Sequence, residues 1–138
     1  MASLQGGETT VAARWIYGKI SALVGSVMVY PAVASRNAAM PYVVYQFMPN
    51  PEGADTRSLG GGRAMSRLRF LVKVIAATQA EAEPIVRLVD TALRGEGPQN
   101  DYYISSTDRF EPFELAVVEG DELYWQIGGY YDVAVTAI

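Results

Sequence analysis

Hydrophobic residues recur along the chain with two periods, and each period marks a kind of element. Behind Thr9 and Thr10, either of which can cap a helix, Val11, Trp15, Ile16, Ile20 and one of Ala22 or Leu23 form a helical stripe. Arg14 and Lys19 fall off that stripe, and Gly25-Ser26 ends the predicted helix. Val27–Tyr30 then reads as a short strand stopped by Pro31. A small-residue connector, 31–40, leads to a second strand from Tyr42 to Met48. Both parities of that strand are apolar, as in a strand covered on both faces, or covered on one face by a partner subunit. From Ser66 the period is again two: Leu68, Phe70, Val72, Val74 and Ala76 make a core face. Arg67, Arg69, Leu71, Lys73 and Ile75 make a half-cationic face suited to water or an acidic partner.

Thr78-Gln79-Ala80-Glu81 matches a capping box, so a second helix is predicted to run to Arg94 and end at Gly95. Its apolar face is Ala82, Ile85, Val86, Val89, Ala92 and Leu93; Glu83, Arg87, Asp90 and Arg94 make the opposite, solvated face. Pro84 opposes this reading, because it lies beyond the first turn; the helix either kinks there or starts later. After a turn-rich connector at 95–101, Tyr102–Ser105 reads as a short strand. Phe113–Glu119 and Leu123–Ile127 form a hairpin about Gly120. Gly128-Gly129 predicts a bulge or bend, and Tyr130–Ile138 continues as strand. The order of elements implies an α+β fold: a mostly antiparallel sheet of four to six strands with two helices on one face. A single domain is expected over 11–138, preceded by a flexible arm at 1–10 and interrupted by a mobile loop at 49–62. That loop, with two prolines and four glycines, is either functional or a tolerated insertion.

Composition narrows the chemistry. At 138 residues and 15.0 kDa the chain can bury one core. It is 50% hydrophobic and 19% charged, which excludes disordered and fibrous classes. There is no cysteine and no histidine. Disulfides, thiol and Ser-His-Asp catalysis are therefore excluded, and a structural zinc site lacks its usual ligands; no cofactor is expected. No apolar run approaches the ~20 residues needed to cross a bilayer, and the first ten residues lack the pattern of a secretory leader, so no membrane partner is expected.

The formal charge of −4 divides unevenly: residues 1–73 carry eight basic and three acidic side chains, residues 74–138 three and twelve. Such halves pair within one fold or across a subunit contact. Gly60-Gly61-Gly62-Arg63 lacks the Lys-Ser/Thr ending and the following helix of a phosphate loop. Asp121-Glu122 sits at a hairpin tip, where a solvated carboxylate keeps an ordinary pKa, so acid–base catalysis is not expected of it. The pairs Tyr102-Tyr103, Tyr124-Trp125 and Tyr130-Tyr131 place one ring of each on either face of a strand. Three such pairs exceed what one small core absorbs, which favours an interface over simple core filling. The candidate contact residues are Tyr42, Tyr45 and Tyr130, the cations Arg57, Arg63, Arg67 and Arg69, and the acids Asp121, Glu122 and Asp132. The cations suit an acidic partner or a loose polyanion contact.

The order helix, Val29-Tyr30-Pro31, small-residue connector 34–40, Pro41-Tyr42-Val43-Val44-Tyr45-Gln46, Gly-rich loop, long strand, Ala/Glu-rich helix and final hairpin resembles the tail completion, or tail terminator, proteins of long-tailed bacteriophages. The resemblance covers about Val11 to Ile138. It implies a non-enzymatic virion protein that forms a homo-oligomeric ring, usually hexameric, on the head-proximal end of the tail. The ring caps the tail tube protein, ends tube polymerisation and presents a surface to head-tail connector proteins. Genomic DNA would pass through the ring without specific binding, and assembly would occur in the host cytoplasm. The alternatives are another head–tail connector, such as a neck or stopper protein, and a small-ligand-binding domain.

Overall fold

The computed structural model describes residues 7–34, 38–48, 55–57, 64–99 and 101–137. The chain runs through α1 (Gly7–Val24), β1 (Met28–Pro31), β2 (Tyr42–Met48), β3 (Asp55–Arg57), β4 (Ala64–Ala76), α2 (Gln79–Leu93), β5 (Gly95–Gln99), β6 (Tyr102–Ser106), β7 (Phe110–Glu119) and β8 (Glu122–Ala137). The fold is α+β, and every strand pairing but one is antiparallel; β1 runs parallel to β2.

The two longest strands, β4 and β8, form the spine, paired in unbroken register from Met65↔Thr136 to Ala76↔Trp125. Each outer edge of this spine is covered by a strand in two pieces. β2 pairs with β4 over Arg69–Ile75, and β3 continues along the same strand over Ala64–Ser66. On the other side β7 covers Glu122–Tyr130 of β8, and β6 covers Val133–Ala137. β1 and β5 close the two ends of the sheet, giving eight strands among the described residues. The excess over four to six comes from segments read as loop or connector: Asp55–Arg57 and Gly95–Gln99 are rich in Gly, Pro and polar residues, and a neighbouring strand imposes pairing on them. The rest of the loop expected at 49–62 lies outside the described residues, as do positions 1–6 of the N-terminal arm. Residues 7–10 of that arm are already the first turn of α1.

Both helices lie on one face of the sheet, in a single core with Leu68, Phe70, Val72, Val74, Tyr131, Val133 and Val135. In α1 the buried stripe is Val11, Ala12, Trp15, Ile16, Ile20 and Val24. Neither Ala22 nor Leu23 belongs to it; both are exposed, and Val24, one step further round, turns inward. The buried face of α2 is the expected one, Ala82, Ile85, Val86, Val89, Ala92 and Leu93. Thr78 caps it, its hydroxyl accepting from the Glu81 N–H at 3.1 Å. The helix does not start late: it runs from Gln79 with Pro84 inside it, the proline exposed.

The bulge expected at Gly128-Gly129 lies across the ladder from them. β8 stays in register with β4 through both glycines, while β7 carries an extra residue between Phe110 and Phe113. Glu111, within that bulge, takes a positive φ of 47°. The glycines serve close approach: a Cβ on Gly128 would stand 2.0 Å from the Val72 carbonyl oxygen.

Candidate assembly surface

Strand alternation decides which expected contact residues meet. The core takes the even positions of β4, so Arg67, Arg69, Leu71, Lys73 and Ile75 stand on the face away from the helices. Cross-strand pairing places Asp132 opposite Arg69, Tyr130 opposite Leu71, and Tyr42 opposite Ile75. Tyr42, Arg67, Arg69, Tyr130 and Asp132 therefore share one outer face. Tyr45 does not: it points to the helix side, 8% exposed, and packs in the core. Arg57 lies in β3 opposite Ala64, and Arg63 is outside the described residues. Asp121 lies in the exposed β7–β8 turn, where Gly120 supplies a φ of 63°, and Glu122, also exposed, opens β8.

The outer face is knit together by charge and ring contacts. Arg69 grips Asp132 through two hydrogen bonds, Nε donating to Oδ1 at 2.9 Å and an Nη to Oδ2 at 3.4 Å. The guanidinium also lies over the Phe110 ring at 4.8 Å, and Phe110 packs on Tyr130 at 6.0 Å. The Asp132 hydrogen bond raises the Arg69 pKa further above its ordinary value. Thr107 secures the junction of β6 and β7: its hydroxyl accepts from the Asp132 N–H at 3.0 Å, and its own N–H donates to the Asp132 carbonyl at 3.0 Å. Asp132 is thus committed within the chain. Arg67, one step along, is exposed and makes no ion pair among the described residues. It edges a shallow pocket of about 250 Å³ with Ser105, Ser106, Thr107, Asp132 and Ala134.

At the other end of this face, Tyr42 packs edge-on against Tyr30 at 5.7 Å. It borders a hollow of about 320 Å³ with Glu119, Glu122 and Tyr124. Burial pushes the Tyr42 and Tyr124 phenols above their ordinary pKa, the reverse of what an activated phenolate needs. Between the two ends Val44 and Ile75 are buried, so this face is only partly solvated. Of the three aromatic pairs, Tyr102 and Tyr131 are buried; Tyr103 is 41% exposed, and Tyr130, Tyr124 and Trp125 are half-buried.

Asp90, expected on the solvated face of α2, instead reaches the sheet. It accepts from the buried Tyr131 hydroxyl and pairs with Arg109 Nε at 3.2 Å. Glu83–Arg87 and Arg94–Asp108 are the exposed pairs of that helix. Sequence spacing gives no warning of this role, because Arg109 lies in an irregular link and Tyr131 far along the chain.

Two further features have no counterpart in the sequence reading. The hairpin of β7 and β8 extends past the helices, and Val118 and Leu123, directly paired across it, are 73% and 52% exposed. An open, largely apolar groove of about 540 Å³ lies between α1 and the β1–β2 edge, lined by Thr10, Ala13, Arg14, Tyr17, Pro31 and Tyr45. Among the described residues no helix is long and apolar enough to cross a membrane, and no three acidic side chains cluster as metal ligands.

The model of the family described as tail completion protein gp17 matches residues 18–127 of the chain. A solved chain described as belonging to the virion of a native gene transfer agent particle is 25% identical; the match covers 92% of this chain and 98% of that one, with a TM-score of 0.55. A second solved chain, 14% identical, matches over 96% of both chains with a TM-score of 0.55, a likeness of fold alone. No curated protein sequence matches the chain.

Proposed function

Since the chain belongs to the tail completion protein gp17 family, and is thereby a structural protein of a phage-type tail, we propose that it is the tail terminator. Its copies close into a ring, six in number, on the head-proximal end of the tail tube, stop the tube from growing and offer the opposite face to the head-tail connector proteins. The observation that carries this reading is the family match, joined to a fold shared over nearly the whole length of a gene transfer agent virion chain.

The chemistry of the molecule agrees with it. An uneven split of charge suits a head-to-tail contact, in which each subunit offers two different surfaces and the set closes on itself. Arg67 and the hairpin acids Asp121 and Glu122 are proposed contact residues. Arg69 and Asp132 shape the same face from within, since each already satisfies the other. A net charge of −4 keeps affinity for passing DNA low.

The test is tube growth. Tail tube protein is polymerised alone and with the purified chain, and tube length is followed by electron microscopy. Termination predicts that small amounts of the chain halt growth at one end, with a ring at that end. Growth to unchanged length overturns the proposal. Retention on immobilised neck proteins but not on tubes would assign the chain to the connector instead.

A further inference from the structure

The exposed apolar hairpin and the apolar groove are complementary, and we propose that the β7–β8 hairpin of one copy seats in the α1/β1–β2 groove of the next. This contact deepens the ring reading above and rests on it. Residues 110–127, which contain the hairpin, carry Glu111, Glu114, Glu119, Asp121 and Glu122 and no cation. Residues 10–48, which contain the groove, carry Arg14, Lys19 and Arg36 and no acid. Arg14 forms no ion pair among the described residues, and Lys19 only overhangs the Trp15 ring at 5.7 Å. Asp121 and Glu122, exposed at the tip, likewise form no ion pair among the described residues.

The apolar parts match in the same way. Val118 and Leu123 form one cross-strand pair standing on the helix-side face of the hairpin but beyond the helices that cover the rest of that face. An exposed apolar pair of this size on a rigid two-stranded arm gains by burial against another surface. The groove offers the Tyr17 ring, 47% exposed and tilted against Tyr45 at 6.4 Å, with Pro31 beside it and Arg14 at its margin. The apolar pair on an arm tipped by Asp121 thus meets an apolar floor with Arg14 at its margin. A second copy supplies both surfaces at the same concentration and in fixed orientation. Because arm and groove are different surfaces, the contact is heterologous and propagates from copy to copy until it closes.

The absence of cysteine makes the contact directly testable by site-specific cross-linking. Tyr17→Cys and Leu123→Cys chains, each exposed at its single thiol, are mixed and treated with a short bismaleimide; Tyr103→Cys serves as a control elsewhere on the surface. The contact predicts mixed cross-linked pairs for Tyr17 with Leu123 and few for Tyr103 with Leu123. In parallel, Arg14→Glu and Asp121→Lys each weaken assembly about tenfold by sedimentation, and the double variant recovers most of it. Thermal melts of the exposed-site variants check that each is folded. A wild-type chain that caps tubes while the two cross-links form equally, or while the double variant is no better than the singles, overturns this contact and leaves the ring standing. A wild-type chain that neither assembles nor binds tubes overturns both.

Discussion

Single residues decide where this sheet tolerates change. Gly128 is fixed by approach of backbone: its missing Cβ would meet the Val72 carbonyl oxygen, main chain that cannot rotate away. Gly128→Ala is expected to cost about 3 kcal/mol or more, the upper range for overpacking, read as a lower denaturation midpoint. Tyr131 is constrained by burial and a hydrogen bond instead. It is 1% exposed, and burial together with its hydrogen bond to Asp90 holds its phenol far above the ordinary value of 10.0. A raised folded-state pKa contributes stability that is full below pH 10 and is lost as pH rises, because the unfolded chain releases the proton first. Unfolding followed against pH should therefore show stability falling above pH 10, with a shallower fall in Tyr131→Phe. At neutral pH the same variant loses about 1.5–3 kcal/mol, the range for a hydrogen bond to a charged acceptor. The alternation of β4 and β8 could be read from sequence, and with it the shared outer face of Arg67, Arg69, Tyr130 and Asp132. Asp90 could not, because helical spacing says which face a side chain occupies but not what arrives opposite it from another element.

The elements themselves were legible where periodicity was strong. The buried face of α2 follows from its spacing, and the Thr78 cap from the capping-box pattern. Pro84 is tolerated in spite of its intrinsic cost because tertiary packing outweighs it: six buried side chains hold the helix together around a lost N–H. That cost is still present, so Pro84→Ala, at an exposed position, is expected to raise stability by about 1–3 kcal/mol in thermal or denaturant unfolding. β3 and β5 escaped notice for the opposite reason. Asp55–Arg57 and Gly95–Gln99 have no strand composition of their own, and only the open edges of β4 and β6 make them strands. The hairpin is legible from its turn, but the exposure of its Val118–Leu123 pair is not, since alternation does not tell where the helices above a sheet stop.

The whole molecule is an acidic chain with its cations gathered in the first half and its carboxylates in the second. Part of this division cancels inside the fold, through Arg69 with Asp132 and Arg109 with Asp90. Arg14, Arg67, Asp121 and Glu122 are left at the surface, far from neutralisation within the described residues. Attraction between exposed charges is screened over about 10 Å at 0.1 M salt and about 3 Å at 1 M. Self-association measured by light scattering should accordingly weaken as sodium chloride is raised over that range, whereas the thermal midpoint of the chain changes little.

The spine has one more consequence, for the time the chain takes to fold. β4 and β8 are immediate neighbours in space, yet α2 and three strands separate them in sequence, from Met65 paired with Thr136 to Ala76 paired with Trp125. Loop closure on that scale must precede the reward of pairing, which places the chain among slow, high-contact-order folders. During synthesis β4 emerges well before its principal neighbour exists, and one long apolar edge stays unpaired until β8 has been made. Arg67, Arg69 and Lys73, on one face of that strand, are charges of the kind that discourage nascent chains from pairing with one another.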